Sequence, residues 1–360
     1  MNILFVNFTD IFGGGEVFLK KILNTDNKDI KKFLLTPSCD KLEKDLDNIK
    51  IIHGYCRKGR FISLYNFINI FKEVRLISKV IKEKNIECIF LNGRNSYYLA
   101  SLINSNVRKI GVWHGSNIKN SKIRNFLNTI SFNALDKIIV VSECQKQILS
   151  RVFDGKYDHK VEVVYLGVDL DEFNREIEKH KLKENSDSIL VVARLEKLKG
   201  HLDLLQAIKR LKESFKNIQL NIVGEGDQEE IIKNEILKMG LEKNVNMLGF
   251  LNPVEQYANA AIFVLPSYTE AFPTVNIEAM AAGIPIVTTN VGGIEEAVIH
   301  KRNGYITTPG NIDEFVDYIT ILLNDKNLRK DMGEISKKDV ENKFTIDKMC
   351  KSVYDILLDE

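Results

Sequence analysis

Four side chains in the second half of the chain have types and spacings that suit an anionic, hydroxyl-rich ligand: Arg194, Lys199, Glu270 and Glu278. Arg194 directly follows the apolar run 189–193, and Lys199 comes five residues later, just before Gly200. A planar guanidinium fork and a compact ammonium at a strand end can together neutralise a diphosphate. The plainer reading is a solvated basic loop, and the pair alone does not decide between the two. Glu270 follows the apolar run 262–265 on a strand-to-helix turn, and Glu278 lies on the helix expected to begin near Pro273. The free N–H groups around Thr274, Val275 and Asn276 then form an anion site aided by the helix dipole. A carboxylate accepts hydrogen bonds from paired hydroxyls, so Glu278 suits a ribose diol and Glu270 a sugar hydroxyl. On chemistry alone, Glu278 could equally be a surface helix residue.

The elements that must position these residues follow from hydrophobic patterning. Short apolar runs alternate with longer amphipathic segments, which predicts doubly wound α/β architecture. Strands are expected over 3–7, 32–35, 88–92, 109–113, 137–141 and 161–165, and helices over 15–23, 64–84, 96–104 and 143–151. A second series of strands is expected over 189–193, 219–223, 245–248, 262–265, 286–288 and 304–307, again alternating with helices. Leu202, Leu205, Ile208 and Leu211 share one face of the helix expected over 201–214. Asn252-Pro253 marks a further helix start, with Asn252 as cap and Pro253 in the first turn.

Two α/β repeats thus lie end to end, joined near Gly167-Val168-Asp169, giving an N-terminal domain over 1–168 and a C-terminal domain over 169–344. The last helix, 346–358, follows the completed second sheet. Its apolar face (Met349, Val353, Ile356, Leu357) is expected to cross back onto the N-terminal domain. Open α/β sheets bind ligands at the carboxyl ends of their strands. Two such domains facing a central cleft would each offer a binding edge.

Length supports two domains, because 360 residues exceed one ordinary core. A hydrophobic content of 44% with 28% charged residues excludes a disordered chain. Cys39, Cys56, Cys88, Cys144 and Cys350 are scattered without a C-x-x-C pair. They indicate neither a disulfide framework nor a zinc site, and fit a reducing, cytoplasmic setting. Residues 2–7 read as a first strand rather than a signal segment, and no apolar run approaches the ~20 residues that span a bilayer. The net charge of +2 is unevenly divided, with about +11 in residues 1–168 and about −9 in the remainder. Either the two surfaces differ in bias, or the N-terminal half meets something anionic.

At this point the sequence resembles a known family. Val192-Ala193-Arg194-Leu195 with Lys199-Gly200, then Pro266-Ser267, Glu270 and Glu278-Ala279-Met280-Ala281-Ala282-Gly283-Ile284-Pro285-Ile286-Val287, is similar to glycosyltransferase family 4. The likeness extends through Gly292-Gly293, Asn303-Gly304 and Pro309-Gly310. It continues more faintly through Gly13-Gly14-Gly15-Glu16, His114-Gly115 and Val141-Ser142. The resemblance implies a GT-B fold of two Rossmann-like domains, with the acceptor on the N-terminal domain and a nucleotide-sugar donor on the C-terminal one.

The roles it implies are specific. Arg194 and Lys199 would hold the donor diphosphate and stabilise the departing nucleotide, the work a metal does elsewhere. Glu278 would bind ribose and Glu270 the transferred sugar. Gly224-Glu225-Gly226 and the Gly249-Phe250 turn would line the nucleobase pocket. Gly14 and Gly15 would let backbone N–H groups approach the phosphate or sugar, and His114 would face the sugar. Ala271 stands where the family commonly has glycine. If that position needed positive φ, its Cβ would cost about 1 kcal/mol.

Beyond the residues, the resemblance implies a retaining transfer of a hexose or N-acetylhexosamine, from a UDP-sugar by preference. The acceptor would be a saccharide or lipid-linked saccharide, in bacterial cell-surface polysaccharide or glycoconjugate synthesis. No cofactor or metal is expected, and Asp45-Leu46-Asp47 and Asp169-Leu170-Asp171 read as chance D-x-D matches. Residues 56–84 interleave basic residues such as Arg57, Lys72, Arg75 and Lys79 with Phe61, Phe67 and Phe71, a pattern suited to an anionic inner membrane surface. The alternative is a core-packed helix with a basic outer face. Two other functions compete: a nucleotide-sugar-binding module without turnover, and a dehydrogenase. The second needs G-x-G-x-x-G, a spacing that Gly13-Gly14-Gly15-Glu16 does not supply. No nucleic-acid-binding module is recognised.

Overall fold

The computed structural model describes residues 1–9, 13–46, 49–55, 64–115, 122–180 and 188–359, with backbone alone at 64–68 and 122. The chain divides into two compact units, Met1–Tyr165 with Met349–Glu360, and Leu166–Lys348.

The first unit holds β1 (Asn2–Asn7), α1 (Gly14–Asn24), β2 (Lys31–Thr36), α2 (Asp40–Glu43), β3 (Lys50–His53), α3 (Leu64–Lys84) and β4 (Cys88–Asn92). It continues through α4 (Gly93–Tyr97), β5 (Arg108–Trp113), α5 (Lys122–Ala134), β6 (Lys137–Val140), α6 (Glu143–Val152) and β7 (Val161–Val163). Its seven strands are parallel, in the order β3-β2-β1-β4-β5-β6-β7. β1 and β4 pair from Ile3 with Cys88 to Asn7 with Asn92. All five residues of β4 are buried, as expected of a strand covered on both faces.

The second unit begins with α7 (Leu170–His180), β8 (Ser188–Val192), α8 (His201–Leu211), β9 (Gln219–Val223), α9 (Glu229–Met239), β10 (Val245–Gly249) and α10 (Val254–Asn259). It continues through β11 (Ile262–Leu265), α11 (Thr274–Ala282), β12 (Ile286–Thr289), β13 (Gly304–Thr307), α12 (Ile312–Asn324) and α13 (Lys326–Lys343), and α14 (Ile346–Leu358) closes the chain. Its six-stranded parallel sheet runs β10-β9-β8-β11-β12-β13. Both units are therefore Rossmann-like. The direction of winding reverses between β1 and β4 in one and between β8 and β11 in the other, and a doubly wound sheet opens its crevice at such a point.

Four features differ from the patterning. The sequence reading contains no strand over Lys50–His53, whose edge position leaves Lys50 and His53 exposed and so breaks the apolar run. It also omits α5. There Ile123, Phe126 and Ile130 are exposed, so apolar residues at helical spacing lie on the solvent side and do not mark the buried face. α4 ends at Tyr97, well before the expected 104. At the start of α10, Pro253 is itself the cap residue, and the Asn252 side chain accepts the Val254 N–H at 3.3 Å.

The expected return of the last helix to the first unit is observed. The Tyr354 hydroxyl hydrogen-bonds the Ile22 and Thr25 carbonyls at 2.7 and 2.8 Å. Val353 and Leu357 are fully buried, while Leu358 is 41% exposed. Leu357→Ala should therefore lower the unfolding free energy of the first unit by about 3 kcal/mol. Leu358→Ala should change it by less than about 0.5 kcal/mol, as read from urea melts of the two variants.

Candidate active site

In the second unit, β8 and β11 deliver the candidate residues to the switch point of the sheet. Arg194 follows β8 by two residues, and a single 3-10 turn over Lys197–Lys199 leads through Gly200 into α8. Gly200 has φ 71°, and a Cβ there would stand 2.0 Å from the Pro266 carbonyl oxygen. Only a glycine lets the two loops approach so closely. The Tyr268 N–H bonds the Leu198 carbonyl at 2.8 Å and completes the junction. A second glycine acts from the other side: Gly292, at φ 60°, would place a Cβ 1.9 Å from the Glu270 carbonyl oxygen.

The result is contact between side chains 71 positions apart. Lys199 Nζ lies 2.6 Å from Glu270 Oε1, and the Ser267 hydroxyl donates to the same oxygen at 2.7 Å. The two charged side chains are only 16% and 11% exposed. Ala271 has no positive φ, so the residue change at this turn carries no backbone strain.

Glu270 precedes α11, whose first residues are Thr274 and Val275. On the same helix Glu278 Oε2 accepts from the buried Tyr257 hydroxyl at 3.0 Å. Tyr257 also reaches the Val275 carbonyl at 3.3 Å, and burial beside Glu278 holds its phenol well above the ordinary range. Arg194 does not join Lys199. Its guanidinium pairs with Glu196 at 2.5 Å and is 73% exposed. An exposed pair of this kind contributes under about 1 kcal/mol, so an anionic ligand can take the arginine from it.

Gly224 and Gly226 pack backbone to backbone against this turn, where Cβ atoms would meet the Ala193 and Leu195 carbonyl oxygens at 2.0 and 2.3 Å. Phe250, following the β10 turn, is 69% exposed. Asp169 is spoken for by structure: its carboxylate accepts the Glu172 N–H at 3.0 Å at the start of α7. Asp45 sits in a turn at φ 61°, and Asp47 lies outside the described residues. Among the described residues, no group of three or more His, Cys, Asp or Glu is arranged to hold a metal.

The first unit gathers a separate set of candidates at its own switch point. Gly14 and Gly15 open α1, and Glu16 accepts the Gly13 N–H at 3.0 Å. A Cβ on Gly14 would meet nothing within 4 Å, whereas one on Gly15 would lie 2.9 Å from His114 Cδ2. His114 packs against Gly15 and, edge-on, against Phe18 at 5.2 Å between ring centroids. Its Nε2 lies 2.9 Å from Asn92 Oδ1. Desolvation lowers the imidazole pKa to about 4, so the ring is neutral at pH 7.

Of residues 56–84, 56–63 lie outside the described residues. In the described part of α3, Asn69, Glu73, Ile77 and Val80 are buried, while Phe71, Lys72, Arg75, Lys79 and Lys82 are exposed. That is the pattern of a core-packed helix with a basic outer face. Among the described residues of this unit, an exposed apolar stripe lies instead on α5, at Ile123, Phe126 and Ile130, with 71%, 63% and 38% exposure.

Sequence reading missed Tyr257, Ser267, Asn7 and Asn92 as parts of these sites. Ser267 lay inside the motif without a role. Asn7 and Asn92 had a readable signal, because each ends an otherwise apolar strand beside the switch point. Tyr257 had none.

Comparison with known proteins places these features in a family. Residues 172–339 match the family model for glycosyl transferases group 1, and residues 12–172 match that for glycosyltransferase family 4. An uncharacterized glycosyltransferase of Haemophilus influenzae is 30% identical over 280 residues, 76% of each chain. The capsular polysaccharide biosynthesis glycosyltransferase CapM of Staphylococcus aureus is 33% identical over 196 residues, 53% of this chain and 52% of CapM. Among solved structures, Anabaena HepE in complex with UDP and glucose superposes with a TM-score of 0.84 over 100% of both chains, at 19% identity.

Gly200→Ala tests the clamp that brings Lys199 to Glu270. The variant should lose about 2 kcal/mol or more of stability in the second unit, measured by thermal melting. A variant as stable as the parent would show that the close approach at Pro266 is not constraining.

Proposed function

The chain belongs to glycosyltransferase family 4, and on that premise we propose that it transfers a hexose or N-acetylhexosamine from a UDP-sugar to a saccharide or lipid-linked saccharide. The observation that carries the donor reading is the Lys199–Glu270–Ser267 cluster beside the N-terminus of α11. In this proposal Arg194 leaves Glu196 and, with Lys199, neutralises the diphosphate. The N–H groups at Thr274 and Val275 add the positive end of a helix dipole. Glu278, oriented by Tyr257, takes the ribose diol, and Glu270 takes a hydroxyl of the transferred sugar. Gly224, Gly226 and Phe250 line the base. On the first unit, Gly14 offers open backbone at the start of a helix, and His114 offers a neutral imidazole to the sugar.

Transfer proceeds with retention and without a metal. As the bond from the anomeric carbon to phosphate breaks, the acceptor oxygen bonds that carbon from the same face. The departing phosphate, stabilised by Arg194 and Lys199, takes the acceptor proton. The UDP and glucose bound by HepE support the choice of donor, and the name of CapM supports synthesis of a surface polysaccharide.

Thermal melts with UDP-, GDP- and ADP-sugars should single out one UDP-sugar. At a hundred times its Kd, that donor should stabilise the protein by about 2.7 kcal/mol. Arg194→Ala should keep the melting temperature of the free protein while lowering transfer by about a hundredfold or more. Product NMR should show the anomeric configuration of the donor. Inversion would overturn the mechanism, and binding without transfer or donor hydrolysis would leave a binding module.

The acceptor half extends to an anionic membrane surface at the inner face of the cell membrane, met by the basic outer face of α3. Among the described residues, no helix is long and apolar enough to cross a membrane. Vesicles containing anionic lipid should sediment with the protein at low salt and release it as salt rises. Equal, salt-independent partitioning to neutral and anionic vesicles would contradict this.

A further inference from the structure

Asn7 and Asn92 end the two central strands of the first sheet at adjacent register positions, and neither has a role in the transfer described above. The two residues are buried, at 0% and 3% exposure. The Asn7 amide Nδ2 donates to the Thr9 carbonyl at 3.1 Å. The Asn92 amide Nδ2 donates to Asn7 Oδ1 at 3.1 Å and to the Gly15 carbonyl at 3.2 Å. Asn92 Oδ1 faces His114 Nε2 at 2.9 Å.

The direction of this chain of bonds is fixed at both ends. The Thr9 and Gly15 carbonyls can only accept, so each amide must turn its nitrogen toward them. Asn92 then has only its oxygen to offer His114, and the imidazole must carry its proton on Nε2. Asn92 also occupies the N-cap of α4, where an asparagine ordinarily accepts a hydrogen bond from the first turn of the helix. Here its side chain makes no such bond. The capping bond is forgone in favour of the histidine.

We propose that Asn7 and Asn92 are positioning residues that hold His114 in its Nε2–H tautomer, leaving Nδ1 as a hydrogen-bond acceptor for a hydroxyl of the donor sugar. The last clause rests on the reading of His114 as a sugar contact. The neutral state of the ring follows from desolvation, and Gly15 and Phe18 hold its plane. A neutral ring whose second nitrogen only accepts cannot bond a phosphate oxygen, which also only accepts. It recognises a donor group, and on a nucleotide-sugar the hydroxyls of the hexose supply one. The relay thus separates sugar recognition by His114 from diphosphate recognition by Arg194 and Lys199.

Long-range ¹H–¹⁵N spectra of the labelled full chain at pH 7 test the tautomer without any variant. The His114 signal, assigned by its loss in His114→Gln, should show a protonated Nε2 and an unprotonated Nδ1. A protonated Nδ1, or a mixture of the two tautomers, would overturn the proposal. Asn92→Leu, with its fold checked by circular dichroism, should yield that mixture and lower kcat/KM for the donor about tenfold. An unchanged tautomer in this variant would equally overturn it.

The monodeoxy forms of the active UDP-sugar then locate the hydroxyl. One of them should lose about tenfold with the parent protein and nothing further with Asn92→Leu. A full additional loss with every deoxy donor would overturn the recognition step while leaving the tautomer in place. If no nucleotide-sugar is turned over at all, the donor reading fails instead, and the spectra still decide the relay.

Discussion

The constraint on which the rest depends is the common direction of the strands. Each sheet is parallel throughout, so every strand ends at the same edge and every following turn is delivered there. Parallel strands need crossovers, and those crossovers cover both faces, which is why the inner strands such as β4 and β11 are buried along their length. Polar chemistry is thereby excluded from the body of each sheet and collected at its carboxyl edge. Between β1 and β4, and again between β8 and β11, the crossovers part to opposite sides. The candidate residues of each unit lie at these two points.

The two edges use the same geometry for opposite electrostatic ends. In the second unit, glycines at 200 and 292 let backbone meet backbone, and the closure brings an ammonium to a carboxylate in a largely buried setting. Such a pair contributes little to stability, because desolvation offsets its attraction. Its consequence is geometric: each side chain fixes the position of the other at the sheet edge. In the first unit, burial has no countercharge to oppose it, so the His114 ring is neutral and is held by its contact with Asn92. One edge carries charge, the other a neutral imidazole.

The N-terminal unit also divides its surface. The outer face of the described part of α3 is basic, while a stripe of exposed apolar residues, Ile123, Phe126 and Ile130, lies on α5. The interleaving of aromatic and basic residues in the linear sequence had suggested one amphipathic contact segment. Folding turns the apolar side of the described part of α3 inward, leaving Phe71 as its exposed aromatic and the positive charge as its main outward character.

Much of the architecture was readable from residue order, because strand and helix periodicity are local properties. The two repeats, most of their strands, the returning C-terminal helix and the placement of Arg194, Lys199, Glu270 and Glu278 after strands all follow from patterning. Family membership follows from the ordered motif. Partnerships did not, since contact between residues such as Lys199 and Glu270 is set by loop closure and not by spacing. The sequence treated Arg194 and Lys199 as one cationic pair, yet tertiary structure gives Arg194 to Glu196 and Lys199 to Glu270. It left Tyr257, Asn7 and Asn92 unremarked, because a side chain that orients another has no composition of its own to announce it. What the sequence determined alone was which chemical groups reach each sheet edge; which group holds which was decided by packing between segments far apart in the chain.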